Sequence, residues 1–403
     1  AGNQMKNILR PNQVRTLIFM DFETTGLIPP GIEDNRPVPG DTKRSINNFV
    51  TKSIKIHDTV DSLPQITEMC FLSVPRQNFD KEIQNLHNEA GFGNDTKLIS
   101  NIASNFYSCQ VRPNLHPNDW IKYEETRKIT AAIHLSQDDL KFKNSFKKEW
   151  PIVHKFLENQ EKPACLIAHN GMKFDFRILY GELARNKLIQ EYPIPDGIYF
   201  LDSYLAFLDL EKSHLDKLAT VTTGIDWEKV SDIFESAKLT NQPTEEITEP
   251  GPSSVQNDDE IQIIGNEVIS ESIQILDSES ALSQPLTVGF VTPPKKKTEN
   301  KKENSATKRG YRLFQDDDVL PLAFMDTGKW SPAKRRRTGK SFFRKVSESK
   351  WEFNKFEANT YFFKGNFKLE NLFKQVTKSD YNAHHAHADC EALLQVCLAY
   401  GDE

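Results

Sequence analysis

Residues 17–27 read LIFMDFETTGL. From Thr16 to Met20 the chain is continuously apolar over strand length without polar alternation, which predicts a strand covered on both faces. Asp21 and Glu23 follow, two residues apart. Side chains at i and i+2 share one face of an extended chain, so the two carboxylates can converge on one point. Taken alone, the pair reads more simply as strand-end solvation. Gly26 and the proline-rich stretch from Pro29 to Pro39 end the strand.

Working outward, Ile66–Val74 (ITEMCFLSV) predicts a second strand that pairs with the first as a hairpin around a long polar loop. Trp120–Leu157 has helical periodicity, punctuated at Leu135-Ser136 and at Pro151. Ala164–Ala168 (ACLIA) predicts another buried strand, His169-Asn170-Gly171 a turn, and Phe174–Leu188 an amphipathic helix. Tyr199–Asp202 predicts a short strand leading into a helix near Tyr204–Leu210. Phe367–Val376 and Asp389–Tyr400 predict two further helices, the last packing back on the first part of the chain. Alternating strands and helices point to an α/β layered fold.

The character changes between about Ser213 and Ser349. Asn241–Gly310 holds one aromatic residue, Phe290, and is rich in Pro, Ser, Glu, Asn and Lys. Such a segment buries too little surface to offset its ordering entropy. The expected organisation is therefore a folded first part over 1–212, a largely disordered insertion over 213–349, and a C-terminal part of the same domain over 350–403.

The 403 residues carry 51 Lys plus Arg against 57 Asp plus Glu. Residues 241–290 hold 10 acidic groups and no Lys or Arg, whereas 291–345 hold 16 basic and 6 acidic ones. The two blocks cancel, so the folded parts carry the whole net charge of −6. A mildly acidic domain is not a binder that works by phosphate neutralisation alone. Carboxylates clustered around divalent cations escape that objection. Five cysteines without paired spacing suggest reduced, buried thiols rather than a zinc knuckle or disulfide framework. The absence of a long apolar run or leader pattern predicts an intracellular protein with no membrane segment and no anchor after Tyr400. Met5 is read as the natural start, preceded by a foreign Ala1–Gln4.

Two more acids join the pair. Asp175 follows a buried strand in the first turn of a helix, and Asp389 opens the last helix after His384-His385-Ala386-His387. Each alone is a helix-start acid, favoured there by the macrodipole. Together, two strand-end and two helix-start acids make sense as one cluster if the strands are neighbours. Like charges at such spacing repel or protonate unless cations offset them. Hard oxygen donors suit Mg²⁺ or Mn²⁺.

The segments LIFMDFETTGL (17–27), CLIAHNGMKFDF (165–176), LDSYLAF (201–207) and HHAHADCEALL (384–394) resemble the motifs of DEDDh 3'-5' exonucleases. ITEMCFLSV and the AHNG motif resemble the three-prime repair exonuclease branch. The resemblance covers about Thr16–Leu210 and Phe367–Tyr400. It implies an RNase H-like fold with a mixed central sheet flanked by helices, interrupted by the insertion. It also implies hydrolysis of DNA from a free 3' end by two Mg²⁺ ions, with Mn²⁺ able to substitute, in DNA repair or in degradation of stray DNA.

Carried over, the resemblance makes Asp21, Glu23, Asp175 and Asp389 the metal-binding acids. It makes His384, five residues before the last acid, the general base, with His385 and His387 close enough to compete for that role. It further implies that Thr24, Leu27, Ile129 and Phe174 contact the terminal nucleotides. Leu27 and Ile129 read equally well as core residues. Phe174 stands where the family commonly has tyrosine, and Ala131-Ala132-Ile133 replaces the family's small turn. Relatives of this kind are commonly homodimers.

In the insertion, Lys334-Arg335-Arg336-Arg337 reads as a binding sequence for a nuclear import receptor, hence an expected nuclear, and partly cytoplasmic, location. Ile261–Ile264 and Ile273–Leu276, each flanked by acids, resemble SUMO-binding strands. Two other readings stand beside the DNA exonuclease: a 3'-5' exoribonuclease, and a catalytically idle nucleic-acid-binding scaffold.

Overall fold

The computed structural model describes residues 13–28, 60, 63–89, 97–130, 133–230, 232, 320–323, 325–347, 350–363 and 366–401. The chain divides into two compact units: residues 1–212, 331–337 and 365–403 in one, residues 213–330 and 338–364 in the other.

In chain order the described elements are β1 (Thr16–Thr24), β2 (Ile66–Pro75), α1 (Arg76–Glu89), β3 (Asn105–Gln110), α2 (Pro117–Ile129), α3 (Gln137–Leu140), α4 (Phe146–Glu158), β4 (Ala164–Ala168), α5 (Asp175–Arg185), β5 (Ile198–Asp202) and α6 (Ser203–Gly224). They continue with α7 (Leu320–Ala323), α8 (Pro332–Arg337), β6 (Phe343–Ser347), β7 (Lys350–Phe353), α9 (Lys355–Phe363), α10 (Leu369–Thr377) and α11 (Ala386–Tyr400).

The first unit is built on a mixed five-stranded sheet in the order β3-β2-β1-β4-β5, flanked by helices. β1 is central: antiparallel to β2, as the hairpin reading expects, and parallel to β4. The unbroken apolar run follows from that position, since Ile18, Phe19 and Met20 are all fully buried. Trp150, Val153 and Leu157 of α4 and Phe176, Ile178 and Leu179 of α5 join the core with β1, β2 and β4. The last helix, α11, lies against β1 and β2, with the Cys390 thiol close to the carbonyls of Phe19 and Cys70. All five cysteines are free, and Cys70, Cys165 and Cys390 are buried.

Between α2 and α4 the sequence punctuation has a physical cause. Ser136 caps α3 by a reciprocal box with Asp139, ending any continuous helix there.

The second unit has its own small core of Leu215, Leu218, Phe342, Phe343 and Ala358, beside the β6-β7 hairpin. This corrects the expected boundaries. α6 does not stop near Leu210 but runs on to Gly224, because Leu215, Leu218 and Thr222 bury on it. Residues 320–347, expected in a disordered insertion, are largely folded, and 350–364 belong to the second unit rather than to the C-terminal part of the first.

The basic run is corrected as well. Lys334–Arg337 lies in α8, where Arg335 and Arg337 are buried. The Arg337 guanidinium pairs with Glu211 at 2.6 Å and also donates to Gln375, while Arg336 donates to the Val376 carbonyl. Arg335 and Arg337 are thus engaged within the fold, which the sequence reading of an exposed basic run did not foresee. Ile261–Ile264 and Ile273–Leu276 lie outside the described residues.

Candidate metal centre

β1 delivers Asp21 and Glu23 to one face at its C-terminal end, and the first turn of α11 brings Asp389 to them. One carboxylate oxygen from each of the three lies within 4.8 Å of the others. Asp175, buried in the first turn of α5, does not share that small set of oxygens. Its charge nevertheless acts on both β1 acids.

The electrostatics record a crowded anionic site. Burial, then Asp175, Asp389 and Glu23, hold the Asp21 carboxyl far above its ordinary value. Burial, then Asp389, Glu68 and Asp175, push Glu23 up to about 8. Burial also raises Asp175 to about 8, opposed by main-chain N–H groups at Asp175 itself and Phe22. For Asp389, burial raises the pKa while the Tyr381 hydroxyl and the His385 N–H hold it back. Converging buried oxygens with uncompensated charge are the donor set that a hard divalent cation fits.

A second group adjoins it. Glu68 of β2 is the cross-strand partner of Glu23, and its carboxylate comes together with His134 and His385 so that one donor atom from each lies within 4.8 Å of the others. Burial and the neighbouring His385 ring both lower the His134 pKa, which favours the neutral imidazole.

The three histidines before Asp389 diverge. His384 adopts a left-handed backbone (φ 67°) and turns a half-exposed ring toward Glu370, its Nε2 3.8 Å from Oε1. The His385 N–H donates to Asp389 Oδ2 at 3.0 Å while its ring lies tilted against that of His134. His387 packs against Phe106 and sits 3.7 Å from Glu391. Of the three, His384 presents the most accessible ring beside the acids.

Thr24 is buried, its hydroxyl donating to the Gly26 carbonyl at 2.6 Å. Leu27 and Ile129 are 82% and 85% exposed, which removes the core reading for both. Phe174 caps α5 from the edge of the core.

Four polar groups around the acids escaped the sequence. Asp202, at the end of β5, accepts from the main-chain N–H groups of Asn170, Met172, Tyr204 and Leu205, tying the start of α6 to the turn before Asp175. His169 is half-buried, its ring nitrogens between Ser203 Oγ and the Phe367 carbonyl, and desolvation lowers its pKa to about 4. Tyr381 donates to Asp389 Oδ1 at 2.6 Å. Glu68 is the fourth. An Asp directly before Ser at a strand end is a helix-cap signal that could have exposed Asp202; Tyr381, in a polar loop, carries none.

The chain is similar to three-prime repair exonucleases. Over 203 residues it is 26% identical to three-prime repair exonuclease 1 of Bos taurus, covering 50% of each chain. Over 205 residues it is 24% identical to three-prime repair exonuclease 1 of Homo sapiens, covering 51% of each. The chain thus spans about half the length of the curated relatives it matches. No protein-family model matches it. Among solved structures, exonuclease I in complex with the inhibitor BCBP aligns at 12% identity and a TM-score of 0.26, over 47% of this chain and 29% of that one. E. coli exonuclease I in complex with a dT13 oligonucleotide aligns at 12% identity and a TM-score of 0.25, over 48% and 28%. The curated relatives are exonucleases by name, and the carboxylate cluster that β1 and α11 assemble is a donor set that a divalent cation fits.

Proposed function

We propose that this protein is a divalent-metal-dependent 3'-5' exonuclease acting on DNA ends. The observation that carries the reading is the convergence of Asp21, Glu23 and Asp389 within 4.8 Å from two elements far apart in sequence. The likeness to proteins named three-prime repair exonucleases supports an exonuclease acting at 3' ends, and DNA as the polymer is part of the proposal.

Asp21, Glu23 and Asp389 would hold the cations, with Asp175 adding charge from α5. Two bound divalent ions supply Lewis-acid stabilisation of the attacking and leaving oxygens of an in-line phosphoryl displacement. Tyr381 and the His385 N–H each occupy one oxygen of Asp389, fixing its carboxylate plane. His384 takes the proton from the attacking water, its ring Nε2 standing 3.8 Å from Glu370 Oε1. Leu27 and Ile129, apolar and exposed, are suited to wedge against the terminal bases, a contact indifferent to base identity. Phe174 and the turn at Thr24 flank the terminal nucleotide.

The test offers 3'-labelled single-stranded DNA, duplex DNA and RNA to the purified chain, with Mg²⁺ or with EDTA. Mononucleotides released from DNA only with Mg²⁺ are expected. DNA left intact where a control nuclease degrades it would overturn the enzyme reading, and RNA cleaved in preference would replace the polymer.

A further inference from the structure

Glu68, His134 and His385 come from β2, the segment before α3 and the residue that starts α11. Their clustering is therefore tertiary, not a local sequence motif. His134 Nε2 lies 3.4 Å from Glu68 Oε2, and the His134 and His385 ring centroids are 4.1 Å apart. Donors around a tetrahedral zinc-type ion, at ligand distances near 2 Å, stand roughly 3.3 Å apart. The Glu68–His134 donor pair is thus already at ligating separation, and a His385 donor lies within 4.8 Å of both. Glu68 Oε2, the oxygen that faces His134, is moreover buried without a hydrogen-bond partner. Buried polar atoms are rarely left so, and an ion is one of the ordinary explanations.

We infer that Glu68, His134 and His385 form a binding site for one late first-row divalent cation of the Zn²⁺ class, distinct from the all-oxygen centre of Asp21, Glu23 and Asp389. Chemistry separates the two. Two imidazoles and a carboxylate select Zn²⁺, Co²⁺ or Ni²⁺, whereas carboxylates alone accept Mg²⁺ or Mn²⁺. Three protein donors leave a fourth position open. The site also has a mechanical link to its neighbour: Glu68 accepts from the Ala386 N–H while the next N–H back, at His385, donates to Asp389. A cation drawing Glu68 and the His385 ring together would stiffen the turn that carries both Asp389 and His384.

The experiment needs no nuclease activity, so its failure and that of the exonuclease reading are distinguishable. Tag-free full-length chain is held in excess Mg²⁺, which occupies oxygen-only sites, and titrated with Co²⁺ by visible absorption. Expected are intense ligand-field bands that saturate with one Co²⁺ per chain and are displaced by Zn²⁺. His134→Gln or His385→Gln should weaken Co²⁺ binding by roughly 100-fold or more, beyond the loss seen when only an outer partner is removed. Asp21→Asn should leave the bands in place. Near-isosteric Glu68→Gln gives the same reading should a histidine variant fail to fold. Bands unchanged in His134→Gln and Glu68→Gln, or lost in Asp21→Asn alone, would overturn the inference.

Discussion

Asp21 sits where burial and three acids, Asp175, Asp389 and Glu23, all push its pKa upward. A carboxyl raised in the folded state binds its proton more tightly there than in the unfolded chain, so it contributes stability at low pH that is lost as pH rises through the folded value. Glu23 and Asp175, each raised to about 8, place that loss between about pH 4.5 and 8. Without metal, the melting temperature should therefore fall across that window. Saturating Mg²⁺ should flatten the profile, because a cation replaces the protons. Asp21→Asn should also flatten it in part and raise metal-free stability, since it removes one repelled charge. Thermal melts at several pH values with EDTA or Mg²⁺ check the sign; a metal-free stability that rises through this window would contradict the crowding. Turnover should respond in the opposite sense: Asp21→Asn should lower kcat by roughly 1,000-fold or more, as expected when several kcal/mol of metal-borne stabilisation is removed. His384→Ala should lower kcat by about 100-fold or more while Mg²⁺ binding, read by calorimetry, is unchanged.

At the scale of elements, the strand ends and the turns between them decide where the acids stand. The four main-chain N–H groups that Asp202 accepts hold the Asn170–Met172 turn against the start of α6. The turn itself is tight, for a Cβ on Gly171 would lie 2.8 Å from Ala168 Cβ and from the Phe176 ring. Asp202→Ala should cost about 3 kcal/mol in urea unfolding by leaving buried donors unmatched. Asp202→Asn, which keeps an acceptor, should cost clearly less. Equal losses in the two variants would show that the hydrogen bonds to the turn are not what matters. β1 and β4 were legible in the sequence as unbroken apolar runs buried on both faces, and β2, α5 and α11 as apolar patterns of strand or helix length. β3 was not, since Asn105–Gln110 is a half-exposed strand at the sheet edge without an apolar run. Asp202 and Tyr381 stayed hidden for a related reason: their roles are fixed by main-chain groups and carboxylates that arrive only on folding.

For the whole molecule, the sequence and the structure part most clearly at residues 331–337. By composition this segment is a basic run inside the expected insertion, yet it belongs to the first unit while the residues on either side belong to the second. What reverses the reading is Glu211, 126 residues away, whose buried carboxylate takes the Arg337 guanidinium at 2.6 Å and the Tyr400 hydroxyl at 2.7 Å. A buried ion pair adds little net stability over well-packed apolar groups, but removing one partner strands the other charge. Arg337→Met should therefore destabilise the first unit by about 3 to 5 kcal/mol, because Glu211 is left buried and uncompensated. Adding Glu211→Gln should recover much of that loss by neutralising the stranded group. Lys147→Met, on the exposed face of α4, should by contrast be nearly silent, as surface charges usually are. Denaturant unfolding of the four proteins, parent included, decides between the two views of the segment. If Arg337→Met unfolds like the parent, the guanidinium is dispensable to the fold and the basic run returns to being available to a partner.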